Sequence, residues 1–322
     1  MRNSLELFIA IALSALFTVA LIYATVEAPR VVNNLLLHIF PDYHLEQTGE
    51  VRQITEALKP LGYISFVVIL ILIVAGFIVQ KARKLATIGA VFMYLPTFGY
   101  FAFTMFFLAG IGIIRILWFP LLESSPSFLR LGEIVYLLSF IPSLPFAFLG
   151  ISIGIPLSFI LMEVGIFTFF LGVLTWLYGR FKKLEIIDFC IYRYSRHPQY
   201  LGFLTWSYGL LLLTPSLRAP RGGYVPPPSL PWLISALTII GVALHEENVM
   251  IKKHGEKYAR YLDRTPFLIP IPKKLSTLIT APVRLLLKKN HPENGREIAL
   301  IIAVYGTMLV LLSIPLVLFS SI

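Results

Sequence analysis

Apolar positions in this chain come in long blocks rather than in alternation with polar ones. Stretches without a charged side chain cover residues 7–26, 60–80, 85–114, 134–162, 198–217, 222–244 and 298–322. A helix that crosses a bilayer needs about 20 apolar residues. In lipid every backbone N–H and C=O must be paired within the protein, which a helix does by itself. The pattern predicts an all-α fold, a polytopic transmembrane helical bundle of about 7–8 membrane helices with short amphipathic interfacial helices.

Along the first half, a helix is expected at about 5–25, then a polar loop to about residue 60 with an amphipathic piece near 31–40. A second helix at about 61–79 stops at Lys81, Arg83 and Lys84. The block 85–119 is interrupted by Pro96, Gly110 and Gly112, and further helices are expected at 129–150 and 155–179. The basic clusters at 81–84 and 180–183 both read as cytoplasmic, so an even number of crossings should separate them. Three blocks lie between them. Either 85–119 holds a second pass or one segment is re-entrant. Pro142, Pro145 and Pro156 mark 128–156 for irregular backbone.

The second half is more polar. A short amphipathic stretch at 184–194 leads into Arg196-His197-Pro198 and a helix at about 199–214. A loop rich in Pro and Gly, 215–231, precedes a helix at about 231–252 that runs from apolar into polar without a breaker. A polar segment at 254–272 follows, then a basic amphipathic stretch at 273–289 expected to lie in the interface. The last helix is expected at about 297–319. These shifts in character divide the chain into a membrane region (1–150), a core (151–272) and a basic interfacial and membrane tail (273–322).

Composition narrows the class. Hydrophobic residues make up 57% and charged residues 14%, against roughly 25% charged in a soluble domain. A soluble enzyme, a nucleic-acid-binding domain and a secreted disulfide scaffold are thereby excluded. The net charge of +10 sits mostly in short loops beside apolar blocks, which suits topology and anionic lipid rather than nucleic acid. Cys190 is the single cysteine, so no intrachain disulfide can form. The first block is too long for a signal-peptide core and lacks a small-residue cleavage pattern, so it is expected to be retained. Asn and Gln are scarce, which favours a thermophile and a prokaryotic plasma membrane, with the endoplasmic reticulum as the eukaryotic counterpart.

No glycine-rich phosphate loop, dinucleotide fingerprint or Gly-x-Ser-x-Gly elbow is present. The six histidines are scattered, so no metal site is expected. Two segments do suggest chemistry. In 191–202, Arg193, Arg196 and His197 stand immediately before a membrane helix whose first residue, Pro198, suits a first turn. Helix N-termini attract anions, and two arginines add fixed charge. Gly202 would allow another backbone or a ligand to approach closely. In the second segment, Glu246 and Glu247 end an apolar helix and are followed by Gly255, Tyr258 and Tyr261. Adjacent helical residues point about 100° apart, so at most one of the two carboxylates can face a given cavity. Carboxylates near a membrane are costly and usually paired, and Arg193 or Arg196 could pair them. By the same cost, Glu133 and Glu163 are candidates.

Taken together, Arg196-His197-Pro198-x-Tyr200-x-Gly202, then about forty residues, then Glu246-Glu247-x-x-Met250 and Gly255-x-x-Tyr258-x-x-Tyr261 resemble the C-terminal signature of isoprenylcysteine carboxyl methyltransferases. The phospholipid N-methyltransferases are relatives of that family. The resemblance covers about residues 184–272. It implies an integral membrane enzyme that uses S-adenosylmethionine at a cytoplasmic pocket and a lipid-like or prenylated acceptor entering from the bilayer. Carried over by position, Arg196, His197, Tyr200, Gly202, Glu246, Glu247, Tyr258 and Tyr261 would line the cofactor site. Carboxylate O-methylation is favoured and phospholipid amine N-methylation is the second possibility. Arg193 or Arg180 could clamp an acceptor carboxylate, with Glu163 or Glu247 orienting the clamp, so Arg193, Glu163 and Glu247 are the expected catalytic residues.

The sequence departs from the signature at His254 and Cys190, and residues 1–150 match nothing in it. Sterol reductases look similar over the same region. An NADPH-dependent membrane reductase is therefore an alternative, with Arg218, Arg221, Lys252 and Lys253 available for the 2′-phosphate. A transporter or scaffold whose arginines only set topology is the third.

Overall fold

The computed structural model of the protein describes residues 2–37, 49–78, 88, 120, 125–213, 229–289 and 291–319. They form helices, 3₁₀ turns and loops, with no strand among the described residues. Five helices are long and apolar enough to cross a membrane. They are α1 (Arg2–Leu37), α2 (Gly49–Ile78), α4 (Gly154–Phe181), α6 (Ser229–His254) and α10 (Gly295–Phe319). The protein is therefore a multi-pass helical membrane protein. The block 85–119, where a second pass is one of two alternatives, lies outside the described residues but for residue 88, as does the loop 215–228.

Three expectations change. The first helix does not stop near residue 25 but continues to Leu37, and the second begins at Gly49 rather than 61. A change from apolar to polar ends the lipid-facing part of a helix, not its backbone hydrogen bonding. The expected crossing at 129–150 is instead two 3₁₀ turns, Pro126–Arg130 and Glu133–Tyr136, and a short helix α3 (Leu137–Phe148). Twelve residues reach only about 18 Å, short of a hydrocarbon core about 30 Å thick. The stretch 184–194 forms no amphipathic helix, only a loop with one 3₁₀ turn, Cys190–Arg193.

Irregular backbone at membrane depth has to be covered by protein, and the corner at 126–136 is. The Tyr208 hydroxyl donates to the Val135 carbonyl at 2.7 Å, and the Ile134 N–H donates to Ser313 Oγ at 3.1 Å. Arg130 grips Glu133 through Nη2 at 2.7 and 2.9 Å, with both side chains largely buried. Glu133, a chemical candidate by its position, therefore belongs to an internal ion pair that shapes this corner.

The centre of the bundle is the pairing of α4 with α5 (Pro198–Leu213). Ser158, Gly165 and Gly172 recur every seventh residue on α4 and meet α5 in turn, Ser158 at Gly209, Gly165 at Gly202 and Gly172 at Pro198 and Gln199. A Cβ on Gly165 would sit 2.7 Å from the Gly202 carbonyl oxygen, and one on Gly202 would sit 2.7 Å from the Gly165 carbonyl oxygen. Small residues let membrane helices approach to backbone contact, where dispersion replaces the hydrophobic drive that lipid does not provide. α1 packs on the outer side of α4, with Phe17 stacked on Phe169 and Lys182 paired to Glu6 at 2.7 Å. α10 packs against α6 and α2.

At one end of the bundle, α6 passes into α7 (Glu256–Arg264) through Gly255, whose φ of +53° favours glycine. The basic stretch expected at the interface forms two short helices, α8 (Lys273–Ile279) and α9 (Ala281–Leu287). Leu278 and Leu285 are exposed on them, as a helix lying in a bilayer surface requires.

Candidate functional site

A cavity of about 430 Å³ opens where α4 and α6 end and α5 begins. α4 contributes Trp176 and Arg180, and the start of α5 contributes Arg196, His197, Gln199 and Tyr200. From α6 come Glu246, Val249, Met250, Lys253 and His254. Tyr258 and Tyr261 of α7 and Tyr192 of the 3₁₀ turn close the wall. The chain is bent here by local means. Ser195 Oγ accepts from the His197 N–H at 3.3 Å, Pro198 occupies the first helical position, and the Arg196 N–H donates to the Pro266 carbonyl at 3.0 Å.

Behind this wall lies a completely buried carboxylate. Glu247 Oε1 receives Arg196 Nη1 at 3.0 Å and His197 Nε2 at 3.1 Å, and its Oε2 receives His291 Nε2 at 2.9 Å. A carboxylate only accepts, so each imidazole presents an N–H to it. One charge buried this deeply is tolerable only when paired and hydrogen-bonded. Arg196 and His197 are further fixed by Phe267, which lies 5.4 Å from the guanidinium and 5.2 Å edge-on from the imidazole. His197 also stacks on Tyr200, whose hydroxyl donates to Glu246 Oε1 at 2.8 Å. The two adjacent glutamates thus have separate tasks. Glu246 faces the cavity, and Glu247 holds the residues that line it.

Of the expected cofactor residues, Arg196, His197, Tyr200, Glu246, Tyr258 and Tyr261 meet in this cavity. Glu247 stands behind the wall, so it is a positioning residue rather than one in contact with a ligand. Gly202 does not line the cavity; it admits the backbone of α4. Arg193 is exposed and faces a different concavity. Glu163 is exposed on α4, thirteen residues before Trp176 and hence about 20 Å along the axis from the cavity. Neither lines the cavity in which the clamp and its orienter are expected. Arg180 and Lys253 do line it, whereas exposed Lys252 does not, and Arg218 and Arg221 lie outside the described residues.

Pattern reasoning missed His291 and Phe267. His291 precedes Pro292 just before an apolar helix, the same arrangement as His197-Pro198 before α5. That repeated His-Pro is a signal the sequence does carry. Phe267 has no comparable signature; it matters only because the Arg196–Pro266 backbone bond brings the two segments together.

Tyr192, Tyr258 and Tyr261, three of the four tyrosines in the wall, are held neutral. Burial first, then nearby carboxylates or other tyrosines, pushes Tyr192, Tyr258 and Tyr261 well above the ordinary value of 10.0. Tyr261 also donates to the Tyr192 carbonyl at 2.8 Å. A raised native value gives stability that is complete below the unfolded value and is lost as pH climbs towards the native one. The melting temperature of the detergent-solubilised protein is therefore expected to fall as pH rises past about 10, and to fall less in Tyr192→Phe. Identical slopes for the two proteins would contradict this.

Fold and site define a polytopic helical membrane protein with a charged, aromatic-walled cavity at the helix ends. A family model described as a protein of unknown function (DUF1295) matches residues 180–265, about a quarter of the chain. That family comprises membrane proteins, and the matched segment carries most of the cavity wall. No curated protein and no solved structure matches the chain.

Proposed function

We propose that this protein is an S-adenosylmethionine-dependent methyltransferase of the membrane, acting on a lipid-like or prenylated acceptor, with carboxylate O-methylation favoured over amine N-methylation. The observation that carries this is the convergence of Arg196, His197, Tyr200, Glu246, Tyr258 and Tyr261 on one cavity, in the arrangement their resemblance to methyltransferase signatures implies. The residues also suit the cofactor chemically. A volume of about 430 Å³ is in the lower part of the range for small-molecule sites, about 300–1,000 Å³, which fits one nucleoside better than a dinucleotide. Arg196 Nε and His254 Nε2, on two residues of the wall, are buried without hydrogen-bond partners among the described residues. Glu246 offers acceptors for a ribose diol or an ammonium, and Trp176 and the tyrosines offer π faces to a sulfonium.

The cofactor supplies an electrophilic methyl group. This chain's part is to hold the two reactants in line and dry, which for such a displacement accounts for much of the rate. The Glu247 cluster would keep Arg196 and His197 in one orientation for that purpose. The cavity end also carries Arg180, Lys182, Lys183, Lys252 and Lys253, and by the distribution of positive charge it would face the cytoplasm.

A dinucleotide reductase is the second possibility, favoured by Arg180 and Lys253 in the cavity wall. Calorimetry on the detergent-purified chain separates them. Saturable binding of S-adenosylhomocysteine is expected, weakened at least about tenfold in Tyr200→Ala, the loss of about 1.4 kcal/mol. Binding of NADPH without S-adenosylhomocysteine would overturn the proposal.

A further inference from the structure

Beside the cavity lies a second concavity of about 700 Å³. Tyr261 and Ile186 form the partition, since both line the two spaces. Its rim carries Arg193, Lys257, Arg260 and Arg264, with Asp188 as the one acid that lines it. Thr265 contributes a hydroxyl-bearing side chain at the floor, where it is buried.

The positive charge here is built rather than scattered. Lys257, Arg260 and Arg264 recur at i, i+3 and i+7 on α7, while Tyr258 and Tyr261 occupy the buried face. Arg193 reaches the same place from the 3₁₀ turn before α5. Lys257 is engaged with Glu185 at 2.9 Å, but no ion pair among the described residues holds Arg193, Arg260 or Arg264. The remaining acids of α7, Glu256 and Asp263, do not line the concavity. Like charges spaced four apart on a helix destabilise it. The dipole at the end of α7 favours Arg264 alone, so it does not account for the other two. Three arginines facing one carboxylate leave an excess of about two positive charges, which a dianion would neutralise. Arginine forks match phosphate oxygens, and each such bond is charge-assisted.

We propose that this basic concavity is a phosphate-binding site, distinct from the cavity and independent of the methyltransferase assignment. The ligand class is a phosphomonoester, whose charge of about −2 at neutral pH matches that excess. Its place beside the ends of the membrane helices allows the phosphate to come from a lipid headgroup or from solution.

The test uses the full chain in a maltoside detergent, titrated by calorimetry with inorganic pyrophosphate and with a short-chain phosphatidic acid. Saturable binding is expected in wild type, reduced at least about tenfold in Arg260→Gln/Arg264→Gln and weakened by salt. Both side chains are exposed, so the variant should keep the wild-type melting temperature and its affinity for S-adenosylhomocysteine. Tighter binding of the lipid assigns the site to a headgroup, and equal binding assigns it to free phosphate; each supports the proposal. No binding of either probe, or binding unchanged in the double variant, overturns it. Loss of S-adenosylhomocysteine binding in wild type would instead count against the proposed activity and leave this site standing.

Discussion

Glu247→Gln is expected to weaken S-adenosylhomocysteine binding at least about 100-fold and to lower the melting temperature, because breaking a buried charged cluster costs about 3–5 kcal/mol. The substitution keeps the shape and changes two things. The charge that balances Arg196 disappears, and one of the two carboxylate oxygens becomes an NH₂. Since Oε1 takes both Arg196 and His197 while Oε2 takes His291, an NH₂ in the Oε1 place faces a guanidinium that can only donate, and one in the Oε2 place is accepted only after His291 changes tautomer. Arg196 and His197 would then lose the orientation that presents them to the cavity. His291→Ala should be milder, because its side chain is about a quarter exposed and water can replace it. The binding isotherms and thermal melts of both variants check this. Glu247→Gln with wild-type affinity would remove the central support of the site assignment.

Gly202→Leu is expected to leave little folded protein. Overfilling a packed interior costs about 1–3 kcal/mol even where side chains can yield. Here the obstacle is the α4 backbone at Gly165 and Phe169, which cannot rotate away. The α4–α5 pair must separate, and with it go the ends of both helices that frame the cavity. Gly154→Ala is the matching control: a Cβ there meets nothing within 4 Å. Monodispersity after detergent extraction, followed by thermal melts, should show Gly202→Leu aggregated and Gly154→Ala like wild type. A monodisperse Gly202→Leu protein with an unchanged melt would mean that the close seam does not hold the bundle together.

The two predictions share a cause. Gly202 sets how near α5 comes to α4, and that spacing places His197 and Tyr200 opposite Trp176 and Arg180. Residues chosen for chemistry and residues needed for packing therefore sit in the same short segment, 196–202. A loss of activity on mutating that segment is interpretable only when stability is measured beside it.

Much was legible in the chain before any fold was known. The long uncharged blocks identify membrane helices because lipid offers no partner to a backbone group or a charge; α4, α6 and α10 start and stop within a few residues of the expected places. The amphipathic basic stretch at 273–289 and the order of the Arg-His-Pro, Glu-Glu and Tyr segments were equally readable, since each depends on local spacing. The length of α1 was not, because leaving the bilayer does not end a helix. Nor was the corner at 126–136, whose backbone is stabilised by Tyr208 and Ser313, distant in the chain.

The roles within the site were decided by tertiary structure alone. Sequence spacing says that Glu246 and Glu247 diverge by about 100°; only the rotation of α6 against its neighbours says which one is buried. The same rotation gives Tyr258 to the cavity, Arg260 and Arg264 to the neighbouring concavity, and Tyr261 to the partition between them. His291 joins Glu247 across 44 residues of sequence, a contact that no local pattern encodes because it depends on where α10 packs. Arg193 lies three residues from Arg196 and still faces away from the cavity, and Glu163 shares α4 with Trp176 and still lies far along its axis. Spacing along the chain specifies which elements form and which faces they have. Burial, and with it the distinction between a carboxylate that meets a ligand and one that holds the wall, exists only once those faces are pressed together.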